Sequence, residues 1–245
     1  MVHVVKISIV IPAFNEELLL GATLVEIKSA ADAFTQHGWE VEWIVCDNNS
    51  TDRTADIARA AGAIVVFEPV NQIGRARNCG ALAATGDWLI FVDADSHPSA
   101  GLFADIAEQI IGGNCLAGGA TIRIDTSDRA ARAITWLWNI VSRIRKLPAG
   151  SLIFCDAAVF RSIGGFSDTL LIAEELELTK RLRKHAKETC RRIVILHRHP
   201  LITSARKMRL YSKREHLRFL AKIIFTQRRA LTNRETAHIW YDGRR

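Results

Sequence analysis

The sequence predicts an α/β fold with a mostly parallel central sheet flanked by helices. Short apolar runs of strand length alternate with longer segments of helical periodicity, which is the pattern of βαβ units. Three predicted strands also end in polar or acidic sequence, namely PAFNEE, DNNSTD and DADS. Because open α/β sheets bind ligands beyond the carboxyl ends of their strands, we expect these three segments to share one crevice.

The first half of the chain shows the alternation most clearly. Asn15 is expected to cap the first helix, and Ser50 or Thr51 the second, since short polar side chains favour that position. Gly86 is expected to close the third helix as a C-cap. The predicted strands are 7–12, 40–46, 63–67 and 88–92, and the predicted helices are 18–33, one that ends at residue 61, and 74–84.

The pattern is weaker after Asp95. Helices are predicted at 98–111 and 130–144 and from the acidic start AEELELTKRLRK, and strands at 116–124, 151–154 and 192–196. Trp136 and Trp138 are expected in the core, although such rings can also stack on sugar or lipid acceptors. No low-complexity linker interrupts the chain, so its halves are expected to pack as one unit.

Positive charge is concentrated near the C-terminus. The 245 residues carry a net charge of +7, but residues 206–245 alone hold 12 basic and 3 acidic side chains. Within this basic tail, residues 210–225 combine the charge with apolar residues at helical spacing. Such a helix either lies on an anionic membrane surface or packs on the body of the protein, and the sequence leaves both open.

Composition excludes several classes of protein. With 49% hydrophobic and 24% charged residues, the chain is not a disordered or fibrous protein. Its five cysteines form no Cys-x-x-Cys pair, which argues against a disulfide framework or a cysteine zinc site. No secretory signal or apolar run of about 18 residues is present, so the expected location is cytoplasmic, with peripheral contact at the inner membrane face left open.

Acidic and basic side chains near the strand ends suggest a site for a metal and a phosphorylated ligand. Asp93 and Asp95 follow a buried strand, where paired carboxylates suit Mg²⁺ or Mn²⁺; the alternative is two solvated turn residues. Asp47 can accept a hydrogen bond from a base. Arg75 and Arg77, two residues apart on a helix, cannot both point the same way. Arg77 is preferred as a phosphate ligand because Asn78 and Gly80 beside it complete a polar patch.

These motifs together resemble the family 2 glycosyltransferases with a GT-A fold. PAFNEE, DNNSTD, NQIG with ARNCG, and TGDWLIFVDADS occur in that family's order, and AGSLIFCDAAVFRSIGGFSD with AEELELTKRL resembles its acceptor half. The resemblance covers about residues 6–205. It implies a nucleotide-sugar-binding half at 1–97 and an acceptor-binding half at 98–205, followed by a basic helical tail at 206–245.

The resemblance assigns the donor-binding residues. Pro12, Ala13 and Glu16 match the first nucleotide-binding segment, which faces the base and ribose. Asp47 matches the aspartate that contacts the base. Arg77 matches a basic residue beside the nucleotide.

The resemblance also assigns the metal and the catalytic base. Asp93 matches the first acidic residue of the DxD element, near the ribose, and Asp95 matches the metal ligand. Glu175 matches the base that deprotonates the acceptor, a position where the family has Asp. Glu177 is the alternative, and since the two differ by about 200° around a helix, only one should face the crevice. His197 and His199 are either a source of a third metal ligand or surface residues.

The implied function is a metal-dependent, inverting glycosyltransferase of the hexosyltransferase type. Its donor would be a nucleotide-diphospho-sugar, UDP-type by expectation, and its acceptor is left open, a lipid-linked one included. A nucleotidyltransferase is the alternative enzyme, but PAFNEE lacks the basic residue expected near the first strand. A non-catalytic nucleotide- or membrane-binding protein is the other alternative. No nucleic-acid-binding motif is present.

Overall fold

An eight-stranded sheet runs through the computed structural model, which describes residues 4–204. The strands are β1 (Lys6–Ala13), β2 (Glu40–Asp47), β3 (Ile64–Phe67), β4 (Trp88–Val92), β5 (Ser96–His97), β6 (Cys115–Asp125), β7 (Leu152–Asp156) and β8 (Arg192–Ser204). The helices are α1 (Leu20–Thr35), α2 (Thr54–Ala60), α3 (Ile73–Ala83), α4 (Ala100–Ile111), α5 (Arg129–Arg145), α6 (Ala157–Ser162) and α7 (Glu174–Glu188). The strand order is β3-β2-β1-β4-β7-β6-β8-β5.

The first four strands form a parallel block, as the sequence predicts. β1 pairs in parallel with β2 and with β4, and β2 pairs in parallel with β3. β7 then joins β4 in the antiparallel direction. The carboxyl ends of β1, β2 and β4 therefore lie at one edge of the sheet, beside the start of β7.

The core has a layer on each face of the sheet. Alternate residues of β1 point to opposite faces, so Ile9 packs with α1 and α4, whereas Val10 packs with α3 and α7. Burial on both faces explains why β1 and β4 read as continuous apolar runs. On the α3 side, a Cβ added at Gly80 would lie 2.4 Å from Val10 Cγ1, so only glycine allows this close approach.

The predicted elements form, but the predicted helix caps are wrong. Asn15 does not cap α1, which begins after Leu19 without a side-chain cap; Asn15 instead has a left-handed backbone, with φ 52°. Neither Ser50 nor Thr51 caps α2, whose preceding residue is Arg53.

Gly86 is also not the C-cap of α3, which ends at Ala83 and passes into extended backbone at Ala84. A Cβ at position 86 would lie 2.5 Å from Ser8 Oγ, so glycine is needed here for close approach to β1. The sequence pattern therefore located the helices but not the residues that end them.

The last strand is longer than predicted. Leu196 pairs opposite Ala120 and Leu201 opposite Ile122, so residues 197–200 bulge out of the ladder and are exposed before pairing resumes. Pro200 and the charged residues around it explain why the apolar run ends at residue 196 although the strand continues. Two short elements, β5 and α6, had no counterpart in the sequence prediction.

Helix α5 does not bury its large side chains, which corrects the expectation for its tryptophans. Trp136 is 65% exposed and Trp138 is half-buried. The buried residues of the helix are the small ones, Ala131, Thr135 and Ser142. The predicted tail helix at 210–225 lies outside the described residues, and among residues 4–204 no helix is long and apolar enough to cross a membrane.

Candidate functional site

The segments that follow β1 and β2 are joined to each other at the crevice. The backbone N–H of Asn15 donates to Ser50 Oγ at 3.0 Å, and that of Glu16 donates to Thr54 Oγ1 at 2.7 Å. In return, Asn15 Oδ1 accepts from the N–H of Thr51 at 2.8 Å. The hydroxyls of Ser50 and Thr54 and the N–H of Thr51 thus hold the segment PAFNEE in place.

The residues assigned to donor binding are brought together at this edge. Pro12 and Ala13 end β1, where they lie opposite Cys46 and Asp47 of β2. Asp47 is buried, and its Oδ1 accepts from the N–H of Ser50 at 2.9 Å. Glu16, which is also buried, begins the turn that leads into α1.

Asn48, the residue after Asp47, has a structural role in the site. Its Nδ2 donates to the carbonyl oxygens of Glu68 and Val70 at 3.1 and 2.7 Å, and its Oδ1 accepts from the N–H of Gln72 at 2.9 Å. Asn48 therefore fixes the loop between β3 and α3. A buried, fully bonded amide of this kind has no signature in a single sequence, because its partners lie 20 to 24 residues away.

Arg77 lies at the centre of a buried ionic cluster. Its Nη1 donates to Glu174 Oε1 at 2.7 Å, and its Nη2 donates to Asp93 Oδ1 at 2.9 Å and to the carbonyl oxygen of Gly150 at 2.8 Å. The arginine side chain is only 2% exposed. We call Arg77, Asp93, Gly150, Glu174 and Glu175 the Arg77 cluster.

Charge within the Arg77 cluster shifts two ionisation equilibria. Burial alone would lower the pKa of Arg77, but Asp93, Glu174 and Glu175 outweigh it and raise the pKa. Burial raises the pKa of Glu175 to about 7, and the neighbouring Glu174 carboxylate adds to the rise while Arg77 opposes it. Glu175 is therefore a carboxylate that exchanges its proton near neutral pH.

The antiparallel strand β7 brings the AGS segment to the site. Val92 pairs opposite Leu152, and beyond this pair the N–H of Asp93 donates to the carbonyl oxygen of Ser151 at 3.2 Å. A Cβ at Gly150 would lie 3.6 Å from Arg77 Nη2 and 3.7 Å from Glu175 Cδ. The loop before β7 thus lies against both the arginine and the candidate base.

Helix α7 presents its acidic residues in different directions. Glu174 and Glu175 belong to the Arg77 cluster. Glu177 instead accepts from Arg181 Nε at 2.8 Å, and Arg181 also donates to the carbonyl oxygen of Gly165 at 2.6 Å. The residue before the helix, Ala173, has a left-handed backbone with φ 60°.

Asn78, in the predicted polar patch beside Arg77, bonds the protein backbone. Asn78 Nδ2 donates to the carbonyl oxygen of Phe166 at 2.9 Å, and Asn78 Oδ1 accepts from the N–H of Phe166 at 2.8 Å. This pair of bonds attaches α3 to the Gly164–Gly165 turn. Arg75 is more exposed than Arg77 and pairs with the buried carboxylate of Glu68 at 3.2 Å.

Asp93 and Asp95 lie on one turn, closed by a bond from the N–H of Ser96 to the carbonyl oxygen of Asp93 at 3.0 Å. Asp95 is buried. Two carboxylates suit a hard cation such as Mg²⁺ or Mn²⁺ that keeps waters and takes its other ligands from a substrate's phosphates. Within residues 4–204, no three His, Cys, Asp or Glu side chains form a metal-binding group. Neither His197 nor His199 therefore joins Asp93 and Asp95 as a third ligand in this structure.

The two histidines of β8 lie on the bulge at residues 197–200. His199 Nδ1 lies 3.1 Å from Asp105 Oδ2 of α4. Its ring also packs on Gly101, where an added Cβ would come within 2.7 Å. Both histidines are exposed.

Comparison with known sequences identifies the family. The family model described as "Glycosyl transferase family 2" matches residues 8–163. An uncharacterized glycosyltransferase of Mycobacterium tuberculosis is 33% identical over 132 residues, 54% of this chain and 53% of that protein. The 4,4'-diaponeurosporenoate glycosyltransferase of Staphylococcus haemolyticus is 41% identical over 97 residues, 37% of this chain and 24% of that protein. The chain thus spans about half the length of the M. tuberculosis relative and about a quarter of the S. haemolyticus one.

Solved structures have a similar fold. A mannosyltransferase from Pyrobaculum calidifontis, in complex with GDP-Man and Mn²⁺, has a TM-score of 0.67 at 17% identity and covers 91% of this chain and 65% of its own. S. aureus TarS in complex with UDP-GlcNAc has a TM-score of 0.64 at 21% identity, covering 81% of this chain and 58% of that one.

The glucosyl-3-phosphoglycerate synthase of M. tuberculosis, in complex with Mn²⁺, UDP and its product, has a TM-score of 0.63 at 21% identity over 90% of this chain and 77% of that one. These likenesses establish the fold, whereas the family model matches more than half of the sequence. The chain belongs to glycosyl transferase family 2 and has the GT-A fold.

Proposed function

We propose that this protein is a metal-dependent, inverting glycosyltransferase that moves a sugar from a nucleotide-diphosphate donor to an acceptor hydroxyl. The observation that carries the proposal is Glu175, a carboxylate with a pKa raised to about 7 that lies against Arg77 and Gly150 at the crevice. A general base is most effective when its pKa is near the working pH.

The donor is proposed to bind at the ends of β1, β2 and β4. Residues 1–97 would form this donor half and residues 98–205 the acceptor half. Pro12, Ala13 and Glu16 would border the base and ribose on one side. Asp47 would accept a hydrogen bond from the base, and Asp93 would lie near the ribose.

The role proposed for Arg77 is indirect. Both of its terminal nitrogens are engaged with the Arg77 cluster, so its charge would act beside the nucleotide by holding Asp93 and Glu174 in place. This role differs from the direct phosphate binding that the sequence predicts for Arg77. It also keeps a positive charge within reach of the developing diphosphate.

Asp95 is proposed as the metal ligand on the donor side. A bound Mg²⁺ or Mn²⁺ would supply positive charge that stabilises the departing nucleoside diphosphate. Asp95→Asn should therefore abolish the additional thermal stabilisation that Mn²⁺ gives to a nucleoside diphosphate complex, and unchanged metal-linked stabilisation would remove Asp95 from this role.

Glu175 is proposed to take the proton from the acceptor hydroxyl. The hydroxyl oxygen would then attack the anomeric carbon from the side opposite the leaving diphosphate, forming a new C–O bond as the bond to the phosphate oxygen breaks. A single in-line displacement of this kind inverts the anomeric configuration. The bond that Glu177 accepts from Arg181 supports Glu175 over Glu177 for this role.

The structural neighbours support a nucleotide-sugar donor. Two of those compared above hold UDP or UDP-GlcNAc and one holds GDP-Man, and two hold Mn²⁺. A UDP-type donor is proposed on this ground and on the position of Asp47. A thermal-shift series with UDP and GDP, each with and without Mn²⁺, tests it; selective stabilisation by GDP would replace the assignment.

The matched pair Glu175→Gln and Glu177→Gln tests the reaction. Glu175→Gln should lower the transfer rate by about 10² to 10⁴ and leave nucleotide affinity unchanged, because the base acts on the acceptor and not on the donor. Glu177→Gln should keep nearly full activity and lose only some stability with its Arg181 pair. Loss of transfer in Glu177→Gln alone would move the role to that residue.

A cytoplasmic location with peripheral contact at the inner membrane face is also proposed. The support is chemical: the described cysteines are free, and residues 206–245 carry a large positive excess. Each Lys or Arg near an anionic membrane contributes about 1 kcal/mol of attraction. The acceptor would then include lipid-linked hydroxyls.

A further inference from the structure

Helix α5 exposes a continuous apolar face. Ile134, Leu137, Val141 and Ile144 recur at intervals of three and four residues, so they lie along one side of the helix, and we call them the α5 apolar stripe. Ile134, Leu137 and Ile144 are 66%, 58% and 73% exposed. The helix packs against the sheet through small residues and through Asn139, which bonds the backbone of Ile122, so the α5 apolar stripe stays exposed among residues 4–204.

Positive charge lies on the exposed surface of α5 beyond the α5 apolar stripe. The helix contains four arginines and no Asp or Glu. All four are exposed, namely Arg129, Arg132, Arg143 and Arg145. Trp136 lies on the same flank as Arg132 and Arg143 and is also exposed. Aromatic and basic side chains beside an apolar face are the composition of helices that lie in a membrane interface.

We propose that the α5 apolar stripe is a membrane-binding surface that inserts into the headgroup region of an anionic bilayer. The apolar side chains would enter the boundary of the acyl chains while the arginines contact lipid phosphates. Charge complementarity selects this occupant, because a cationic helix without a single carboxylate is attracted to anionic lipid and repelled by a basic protein surface.

The tail begins close to α5, but its charge argues against it as the occupant. Ser204 pairs opposite Asp125, three residues before Asp128, which is the N-cap of α5. The chain therefore leaves the described structure next to the start of α5. Residues 206–245 carry 12 basic and 3 acidic side chains, so they would be repelled by the arginines of α5 but attracted to the same anionic surface.

The proposed surface is close to the catalytic crevice along the chain. Arg145 ends α5, and five residues later the carbonyl oxygen of Gly150 accepts from Arg77. A bilayer under α5 would thus bring the lipid surface near the Arg77 cluster. Where the proposed glycosyl transfer holds, this favours an acceptor hydroxyl carried by a membrane lipid; the binding surface itself does not depend on that activity.

Vesicle co-sedimentation of the full chain tests the proposal in the absence of donor and metal. The wild-type chain should sediment with vesicles of phosphatidylcholine and phosphatidylglycerol much more than with phosphatidylcholine alone. Leu137→Ser combined with Ile144→Ser should lower the partition constant roughly 10- to 100-fold, because two apolar side chains leave the interface. The matched control is Leu18→Ser with Leu82→Ser, two leucines that are 79% and 85% exposed elsewhere, and it should bind as the wild type does.

Replacing arginines separates the charge contribution. Arg132→Gln and Arg143→Gln should each weaken binding about fivefold, with the basic tail intact. Wild-type binding by the Leu137→Ser, Ile144→Ser variant would overturn the proposal and leave attachment to the tail. A fall in melting temperature of that variant in solution, absent from the Leu18→Ser, Leu82→Ser control, would show that residues 206–245 or a second copy cover the stripe, and would overturn it as well.

Discussion

Arg77 holds a set of acidic side chains together that could not be buried near one another without it. Its guanidinium contacts Asp93 and Glu174 directly and lowers the pKa of Glu175 against the effect of burial. Removing one partner from a buried ionic group is costly because the others keep their charge in a poorly solvated place.

Arg77→Met should therefore lower the free energy of unfolding by about 3–5 kcal/mol, as removal of one partner of a buried ion pair does. Arg59→Met is the matched control, since Arg59 pairs with Asp56 on the exposed side of α2 and should contribute no more than about 1 kcal/mol. Urea unfolding near neutral pH measures both. Equal destabilisation by the two changes would contradict the central position of Arg77.

The pH dependence of the protein should report on Glu175. As the proposed base it is active when deprotonated, so the transfer rate should rise as pH increases through about 7. A loss of activity over that range would exclude Glu175 as the base.

The same group should make the folded state less stable at higher pH. Its pKa is raised from 4.5 to about 7 on folding, so the native state holds the extra proton and its stabilising effect is lost as pH rises through that window. The loss is on the order of 1–3 kcal/mol. Glu175→Gln should lack this component, and urea unfolding of ligand-free protein at pH 5 and pH 8 measures the difference.

At the level of elements, helix α7 begins with local strain. Ala173 is in the left-handed region, which disfavours residues with a Cβ, and it directly precedes Glu174 and Glu175. The strain is maintained by the contacts of the two glutamates with the Arg77 cluster. The start of this helix is thus positioned by the site and not by its own capping.

Ala173→Gly should raise the free energy of unfolding by about 0.5–1 kcal/mol, because glycine adopts this backbone without a steric penalty. Ala186→Gly, at a buried helical position of α7, should act in the opposite direction. Thermal unfolding of both variants measures the contrast. A loss of stability in Ala173→Gly would show that the left-handed geometry is not the dominant factor at this position.

Periodicity predicted the elements because burial in this fold follows the regular spacing of strands and helices. It failed where geometry depends on distant residues. The sequence predicts Gly86 as a helix cap. Glycine is needed there because the backbone contacts Ser8, on a strand nearly 80 residues away. Trp136 is predicted in the core, but the face of α5 toward the sheet carries small side chains and Asn139, which bonds the backbone of Ile122.

The candidate site divides in the same way. Asp47, Asp93 and Asp95 could be placed together from the sequence, because parallel strands deliver their carboxyl ends to one edge. Burial of Arg77 and its bond to Gly150 could not, since they depend on the antiparallel return of β7. The assigned roles of these residues remain predictions.

At the level of the whole molecule, the proposed donor and acceptor halves share one sheet. β4 of the first half pairs with β7 of the second, and β5, which ends the first half, pairs with β8 at the far edge. The hydrophobic layer under α1 and α4 also includes residues of β6 and β8. The two halves are therefore expected to fold together.

Unfolding in urea should accordingly show one transition, with the same midpoint by far-UV circular dichroism and by tryptophan fluorescence. Tryptophans occur in both halves, for example Trp43 and Trp138, so the fluorescence signal samples each. Separate midpoints for the two signals would indicate that the halves unfold independently.

The bond between Arg77 and Glu174 also sets a minimum delay before the site can form during protein synthesis. The two residues are 97 positions apart, so at synthesis rates of about 5–20 residues per second the arginine waits about 5 to 20 seconds for its partner to be made. During that interval helix α3 can form on the ribosome. The guanidinium of Arg77 must stay hydrated, because Glu174 has not yet been made. Substitutions that delay the second half should therefore leave the nascent chain with an unfinished core on the α3 side, the face on which α7 later packs.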